Sequence, residues 1–291
     1  MRSGIINVLK PTGMTSHDVV SEARKILGEK KIGHTGTLDQ NVAGVMVLAV
    51  GKATKLTQML QEKKKSYRCC MTLGKKTDTS DTYGKVIADE GRVDFSEKEI
   101  KDVLNSFLGE SEQIPSAYSA IKVGGERLYK MARNGRQIPD IPPRKIFIYS
   151  IETLKIENGD VTFDVSCSKG TYVRTLVEDI AKRLDTIAYV SWLIRTRLGD
   201  FGIFDSVDIH DISENDIIPL DDIYLPDVQK VILDDFMLER FVNGLAVTVT
   251  YLKDFKYSKS NLYKIYDIKG TLVSIAQTVN GDLKNKVFLY R

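Results

Sequence analysis

Gly33-His34-Thr35-Gly36-Thr37-Leu38-Asp39 runs, after two residues, into Val42-Ala43-Gly44-Val45-Met46-Val47-Leu48-Ala49-Val50. The second segment has no polar side chain and reads as a buried strand. The first reads as a turn standing on it. Glycines 33 and 36 permit φ > 0 or a close backbone approach, and Lys30 and Lys31 stand just before the turn. A carboxylate held this way, beside His34 and a basic approach, is a candidate nucleophile or base facing an anionic substrate. The same residue types also build ordinary turns, so this segment alone leaves both readings open.

Outward from this strand the chain reads as mixed α/β. Ile5 to Leu9 is strand-like and is closed by Lys10-Pro11-Thr12-Gly13. Thr15 or Ser16 then caps a helix with Val19, Val20, Ala23, Ile26 and Leu27 on its apolar face. A short helix carries Leu56, Met59 and Leu60. Ser66 to Leu73 is a strand, with Gly84 to Ala88 as its expected partner. Ser96 and Glu99 form a capping box, and Gly124-Gly125 is expected to lead into a helix from Glu126 to Asn134. Asn158-Gly159 between Lys145–Ile156 and Val161–Ser168 is a strong hairpin signal. Strands joined by hairpins predict an α/β (α+β) fold with a central mixed, largely antiparallel sheet flanked by helices.

The chain has 291 residues, enough for a large domain and a small one, and its 28% charged content is that of an ordinary globular protein. No apolar run reaches membrane-spanning length, and Met1 to Pro11 lack the long apolar region of a secretory signal, so none is expected. Cys69, Cys70 and Cys167 make no zinc or disulfide framework, so reduced thiols in the cytoplasm are expected. The net charge of +3 is unevenly placed: residues 205–225 hold seven acidic residues and no Lys or Arg, between two basic blocks. That pattern predicts an acidic linker over 205–225, separating 1–204 from 226–291, and a polyanionic partner for the basic blocks.

Two further segments carry chemistry. Val173, Leu176, Val177, Ile180 and Leu184 recur at helical spacing, which places Arg174 off the buried stripe in a first turn. A cation there opposes the helix dipole unless an anion is near. Glu178, one turn on, is one partner, and Asp39, brought close by folding, is another; pairing with Asp39 would keep that carboxylate ionised. Lys63-Lys64-Lys65-Ser66-Tyr67-Arg68 interleaves basic residues with an aromatic, suited to phosphate contact and base stacking. A solvated strand end with Tyr67 in the core is the alternative.

Together these segments resemble one family. Lys10-Pro11-x-Gly13-x-Thr15-Ser16-x-Asp18, Gly33 to Asp39, Gly51-Lys52-Ala53-Thr54-Lys55, Lys65-x-Tyr67 and Thr77-Asp78-Thr79-x-Asp81 are similar to the tRNA pseudouridine-55 synthases of bacteria. So are Pro115 to Lys122, Ser168 to Leu176 and Leu193-Ile194-Arg195, all in order over about residues 4–204. The resemblance implies isomerisation of a T-loop uridine of tRNA to pseudouridine in a pseudouridine-synthase fold. It implies Asp39 as nucleophile, Tyr67 stacking on a flipped-out uracil, and Arg174 pairing with Asp39. Tyr172 and Leu193 would line the uridine pocket, His34 would pack within the T loop, and Lys10 and Asp81 would stand near the site. Attack at the ribose C1′ and at the uracil C6 both stay open. Phe241-Val242-Asn243-Gly244 resembles the opening of a small β-rich, PUA-like RNA-binding domain over 226–291.

An enzyme acting on a base must extrude it into a pocket, and a folded T loop is recognised through its shape, splayed bases and phosphates. With no metal-ligand cluster and no phosphate-cradling glycine loop in the sequence, no cofactor is expected. The expected partner is the tRNA T-arm, with no membrane, no obligatory protein partner, and a cytoplasmic monomer. An RNA-guided synthase and an RNA-binding or tRNA-folding protein with weak or lost catalysis are the alternatives. One departure stands out: the family usually follows its aspartate with Pro-Leu-Ala-Thr-Gly, whereas Asp39 is followed by Gln40-Asn41-Val42-Ala43-Gly44. Proline restricts φ, so its absence predicts a looser loop.

Overall fold

The computed structural model describes residues 3–115, 122–128, 131, 136, 139–225 and 227–289. In chain order the strands are β1 (Gly4–Lys10), β2 (Ile32–His34), β3 (Ala43–Val50), β4 (Lys65–Leu73), β5 (Lys76–Thr77), β6 (Val86–Ala88), β7 (Gly109–Gln113), β8 (Lys122–Val123), β9 (Glu126–Arg127), β10 (Arg144–Glu157) and β11 (Asp160–Cys167). After them come β12 (Ala188–Leu198), β13 (Phe201–Gly202), β14 (Val207–Asp208), β15 (Ile218–Pro219), β16 (Gln229–Ile232), β17 (Tyr263–Tyr266), β18 (Leu272–Val279) and β19 (Asp282–Phe288).

The main sheet runs β14-β1-β3-β12-β4-β11-β10-β7, with β2, β13 and β15 added to β3, β12 and β1. Only β1–β14 and β3–β12 are parallel pairs within it, so it is mixed and largely antiparallel. The unbroken apolar character of β3 has a direct cause. Met46, Leu48 and Val50 face a core shared with the helices Ser16–Leu27, Glu97–Asn105 and Val173–Arg183. Val45, Val47 and Ala49 face a second core shared with Tyr266, Leu272 and Ile275 of the C-terminal four-stranded sheet. A strand buried on both faces cannot alternate apolar with polar residues.

Local signals act as the sequence dictates. Thr15 caps the helix Ser16–Leu27, with Asp18 closing a capping box, and Ser96 with Glu99 does the same for Glu97–Asn105. Asn158 (φ 51°) and Gly159 (φ 84°) turn β10 into β11 with both central residues in the left-handed region, the type I′ requirement. All three cysteines are free and buried.

Four expectations need correcting. Residues 86–88 pair with β5, not β4, because β4 already has β11 and β12 on its two edges. Glu126-Arg127 is a strand paired with β8 across Gly124-Gly125, so the expected helix does not begin at Glu126; Leu128 and Met131 are helical, and the rest of that segment lies outside the described residues, as does most of Pro115–Lys122. Ile26 is exposed, since the buried face of the helix is made by Val19, Val20, Ala23 and Leu27. The acidic segment 205–225 is not a free linker. Its β14 and β15 pair with β1, and Ile209, Ile212 and Ile217 are buried in the main core, so its charges lie on the outside of a packed segment.

Candidate active site

Asp39 stands in the loop between β2 and β3, and several bonds fix that loop. Leu38 exchanges two hydrogen bonds with Ser16 Oγ: its N–H donates at 2.9 Å and its carbonyl accepts at 3.0 Å. The Thr35 N–H and hydroxyl both donate to the Val47 carbonyl. Gln40 Nε2 donates to the Gly13 carbonyl at 2.9 Å, while the Gln40 carbonyl accepts from Gly13 N–H at 2.9 Å and from Lys10 Nζ at 3.1 Å. The residue that stands where the family has proline is thus tied at both ends to the Gly13 turn. The expected looseness is offset by hydrogen bonds.

Arg174 lies in the first turn of the helix Val173–Arg183, and its partner is Asp39: Nη2 to Oδ2 is 2.9 Å. The Arg174 side chain is 11% exposed and that of Asp39 50%, so the cation is sheltered while the carboxylate opens to the cavity. Arg174 Nη1 donates to the Thr79 carbonyl at 3.0 Å and lies 3.6 Å from Asp81 Oδ2. Glu178 does not compete, because it accepts from Ser80 Oγ at 2.8 Å. Asp81 itself accepts from Thr79 Oγ1 and Tyr83 N–H, and its loop is laced to β12 through Val190.

The pair opens on a cavity of about 430 Å³. Asp39, Tyr67, Tyr172, Arg174, Leu193 and Arg195 are among its lining residues. A second cavity of about 220 Å³ lies across Asp39, Val42, Arg174 and Leu193, and Asp81 belongs to that one. Tyr67 is both a core residue and a wall: burial raises its hydroxyl's pKa, and that hydroxyl is bonded to the Arg195 side chain. Lys10 is fully buried behind the loop, donating to the Pro11 and Gln40 carbonyls; burial brings its pKa down to about 8. Lys65 at the cavity is also lowered to about 8, first by burial and then by Arg195. His34 does not line the larger cavity. Its Nδ1 accepts from Gly36 N–H at 3.3 Å, and burial lowers its pKa.

Sequence reading missed two supports. Arg195 is buried in β12, and its Nε donates to the Val45 carbonyl at 2.6 Å. The available signal was a cation directly after Leu193-Ile194 in a strand, since a buried charge needs partners. Its backbone meets Gly44 where β3 and β12 run parallel, and an added Cβ at Gly44 (φ 122°) would lie 2.2 Å from the Arg195 carbonyl oxygen. Gln113, buried at the end of β7, bonds the backbone of Tyr172 and had no distinguishing sequence signal. Among the described residues no His, Cys, Asp and Glu group is placed to hold a metal ion, and no helix is long and apolar enough to cross a membrane.

Comparison with known proteins addresses the same residues. The family described as TruB family pseudouridylate synthase (N terminal domain) matches residues 24–173, which include Asp39 and Tyr67. The chain belongs to that family. It is 44% identical to the tRNA pseudouridine synthase B of Caldanaerobacter subterraneus subsp. tengcongensis, over 94% of each chain. To that of Clostridium perfringens it is 38% identical, over 94% of this chain and 95% of the relative. Among solved structures, a Cbf5-Nop10-Gar1 complex matches with a TM-score of 0.72 and 28% identity, covering 98% of this chain and 84% of that one. An H/ACA RNP bound to a substrate RNA containing 2'-deoxyuridine matches with a TM-score of 0.70 and 27% identity, over 99% and 85%. These similarities span the β-rich C-terminal sheet as well as the larger unit.

Proposed function

We propose that this TruB-family enzyme isomerises a T-loop uridine of tRNA, position 55, to pseudouridine, with Asp39 as the nucleophile. The observation that carries the reading is the Asp39–Arg174 pair at the mouth of a base-sized, part-apolar cavity. The reaction is an isomerisation: the bond from C1′ to N1 breaks, one from C1′ to C5 forms, a proton leaves C5, and N1 gains one. Asp39 attacks at C1′ or C6. In either route the carboxylate must be aimed, which a guanidinium at 2.9 Å does. Tyr67 and Leu193 offer flat and apolar surface to the extruded ring, and Tyr172 closes the wall beside Arg174. Lys65 and Lys169 at the cavity suit the RNA phosphates. Asp81 and Lys10 act one step back, on Arg174 and on the nucleophile loop, and His34 meets the T loop from beside the turn.

Residues 1–204 form the catalytic unit, with 205–225 packed upon it, and 226–291 form a PUA-like unit that adds RNA contact. The enzyme works as a cytoplasmic monomer on tRNA without an obligatory partner. The stand-alone reading is favoured over a guided one because the relatives named tRNA pseudouridine synthase B are 38–44% identical, against 28% for the Cbf5 complex. The test is to incubate the purified protein with an unmodified tRNA transcript and map pseudouridine at nucleotide resolution. One new pseudouridine in the T loop, lost in Asp39→Asn while RNA affinity stays within about threefold, is the expected outcome. Binding without modification would favour an RNA-folding role, and modification only with added proteins or guide RNA would favour the guided one.

A further inference from the structure

The helix Val173–Arg183 has a poorly made beginning. Its N-cap residue, Tyr172, offers no side-chain hydrogen bond to the free N–H groups of the first turn. Arg174 in that turn adds a positive charge to the positive end of the helix dipole. The end that must aim Arg174 at Asp39 therefore lacks the usual local devices.

Gln113 supplies the missing constraint from a distance of 59 residues in sequence. The Tyr172 N–H donates to Gln113 Oε1 at 2.8 Å, and Gln113 Nε2 donates to the Tyr172 carbonyl at 3.1 Å. One backbone donor and one backbone acceptor admit a single orientation of the carboxamide, so the clamp has a defined sense. Gln113 is 3% exposed, so its carboxamide is sheltered from water. The same Tyr172 carbonyl accepts from Leu176 N–H at 2.9 Å, so the clamp acts on the first turn of the helix. Gln113 is the last residue of β7, which pairs with β10, so the helix start is referred to the rigid sheet.

We propose that Gln113 is a positioning residue for the isomerisation: it sets where Tyr172 and Arg174 stand relative to Asp39. The inference rests on Arg174 being the partner of the nucleophile. Arg174 lies between two carboxylates, Asp39 at 2.9 Å and Asp81 at 3.6 Å. A shift of the helix end by under 1 Å would exchange the nearer for the farther. Misplacement on that scale can reduce rate by as much as about a hundredfold without removing any reacting group.

The test compares Gln113→Met, close in shape but unable to hydrogen-bond, with Gln113→Glu, which keeps the acceptor for Tyr172 N–H and turns a carboxylate oxygen on the Tyr172 carbonyl. The readouts are the single-turnover rate at saturating enzyme on unmodified T-arm RNA, RNA affinity, and melting temperature, with rates measured well below each variant's melting. Gln113→Met is expected to slow the single-turnover rate about tenfold or more, with affinity changed less than about threefold. In an Arg174→Lys background the same substitution should matter less than about threefold, because the group it aims is already altered. A rate within about twofold of wild type, whatever the melting temperature does, overturns the proposal, as does full additivity with Arg174→Lys. If Gln113→Met does not fold, Gln113→Glu carries the same comparison. Arg174→Ala separates the two levels. Inactivity there with a normal Gln113→Met rate sinks the clamp alone, whereas full activity there sinks the reading of the site beneath it.

Discussion

Gly44→Ala is the substitution with the most to lose for a single methyl group. Gly44 pairs with Arg195 where β3 meets β12, and its φ of 122° is one that L side chains rarely adopt. A Cβ there would lie 2.2, 2.6 and 2.8 Å from the carbonyl oxygen, nitrogen and carbonyl carbon of Arg195. All three are backbone atoms, so no side chain can swing away and the strands themselves must part. The strained backbone alone costs about 1–3 kcal/mol. Parting the strands also pulls Arg195 Nε from the Val45 carbonyl, and a buried group left unpaired costs about 1–3 kcal/mol more. The sum, about 2–6 kcal/mol, corresponds to a fall in melting temperature of roughly 3–10 °C for a chain of this size. Thermal unfolding followed by circular dichroism measures it. Gly270→Ala serves as the control, since Gly270 (φ 81°) has no atom within 4 Å of its would-be Cβ and isolates the backbone cost. Equal shifts for the two variants, or a fall of under 2 °C for Gly44→Ala, would refute the close-approach argument.

Arg174→Ala should lower kcat by about a hundredfold or more, because two charge-assisted bonds at about 1.5–3 kcal/mol each are removed beside the nucleophile; release of the C5 proton from labelled uridine reports it, and a loss below threefold counts against the pair. Gln40→Ala should lower kcat about two- to fivefold by removing the side-chain bond that restrains the loop after Asp39, and Gln40→Pro should recover it; an inert Gln40→Ala would mean that the bond from Nε2 to the Gly13 carbonyl is incidental. Lys10 and Lys65, both brought down to about 8 by burial, hold their protons less tightly folded than unfolded. The unfolded chain therefore binds more protons between about pH 8 and 10.5, so these two groups make stability rise with pH over that window. Over the lower part of that window the cavity loses positive charge, so KM for RNA should climb from pH 7.5 to 9, and Lys65→Arg, charged throughout, should flatten the climb. An unchanged slope in Lys65→Arg would place the effect elsewhere.

Much of this architecture was legible because its causes are local. Thr15, Ser96 and Asn158-Gly159 act through bonds to residues within a few positions, and period 3.6 in residues 173–184 needs no tertiary knowledge. The choice between Asp39 and Glu178 for Arg174 came only from the family resemblance and not from spacing, since Glu178 is withdrawn by Ser80, a residue 98 positions away. The role of 205–225 was hidden for a related reason: its acidic residues dominate composition, whereas its few isoleucines decide its packing. Gln113 gives no sign at all in one dimension, because a glutamine that bonds backbone can grip any residue type. For Gln40 the loss of a proline's restraint was visible, and the gain of a side-chain bond from Nε2 to the Gly13 carbonyl was not.

The second face of β3 has a consequence for how the C-terminal unit is to be understood. Ile5, Val45, Val47, Ala49, Leu56 and Leu60 are covered in part by Tyr266, Leu272, Ile275 and Leu289. Removing residues 226–291 would bare an apolar surface on the back of the sheet that carries Asp39 and Arg195. A truncated chain would then lose RNA affinity, activity and solubility at once, and the three losses would share one origin in exposed hydrocarbon. A test of the RNA contact proposed for this unit must therefore change its outward-facing residues while its inward face stays in place. To the catalytic sheet the appendage serves as a wall before it serves as a hand.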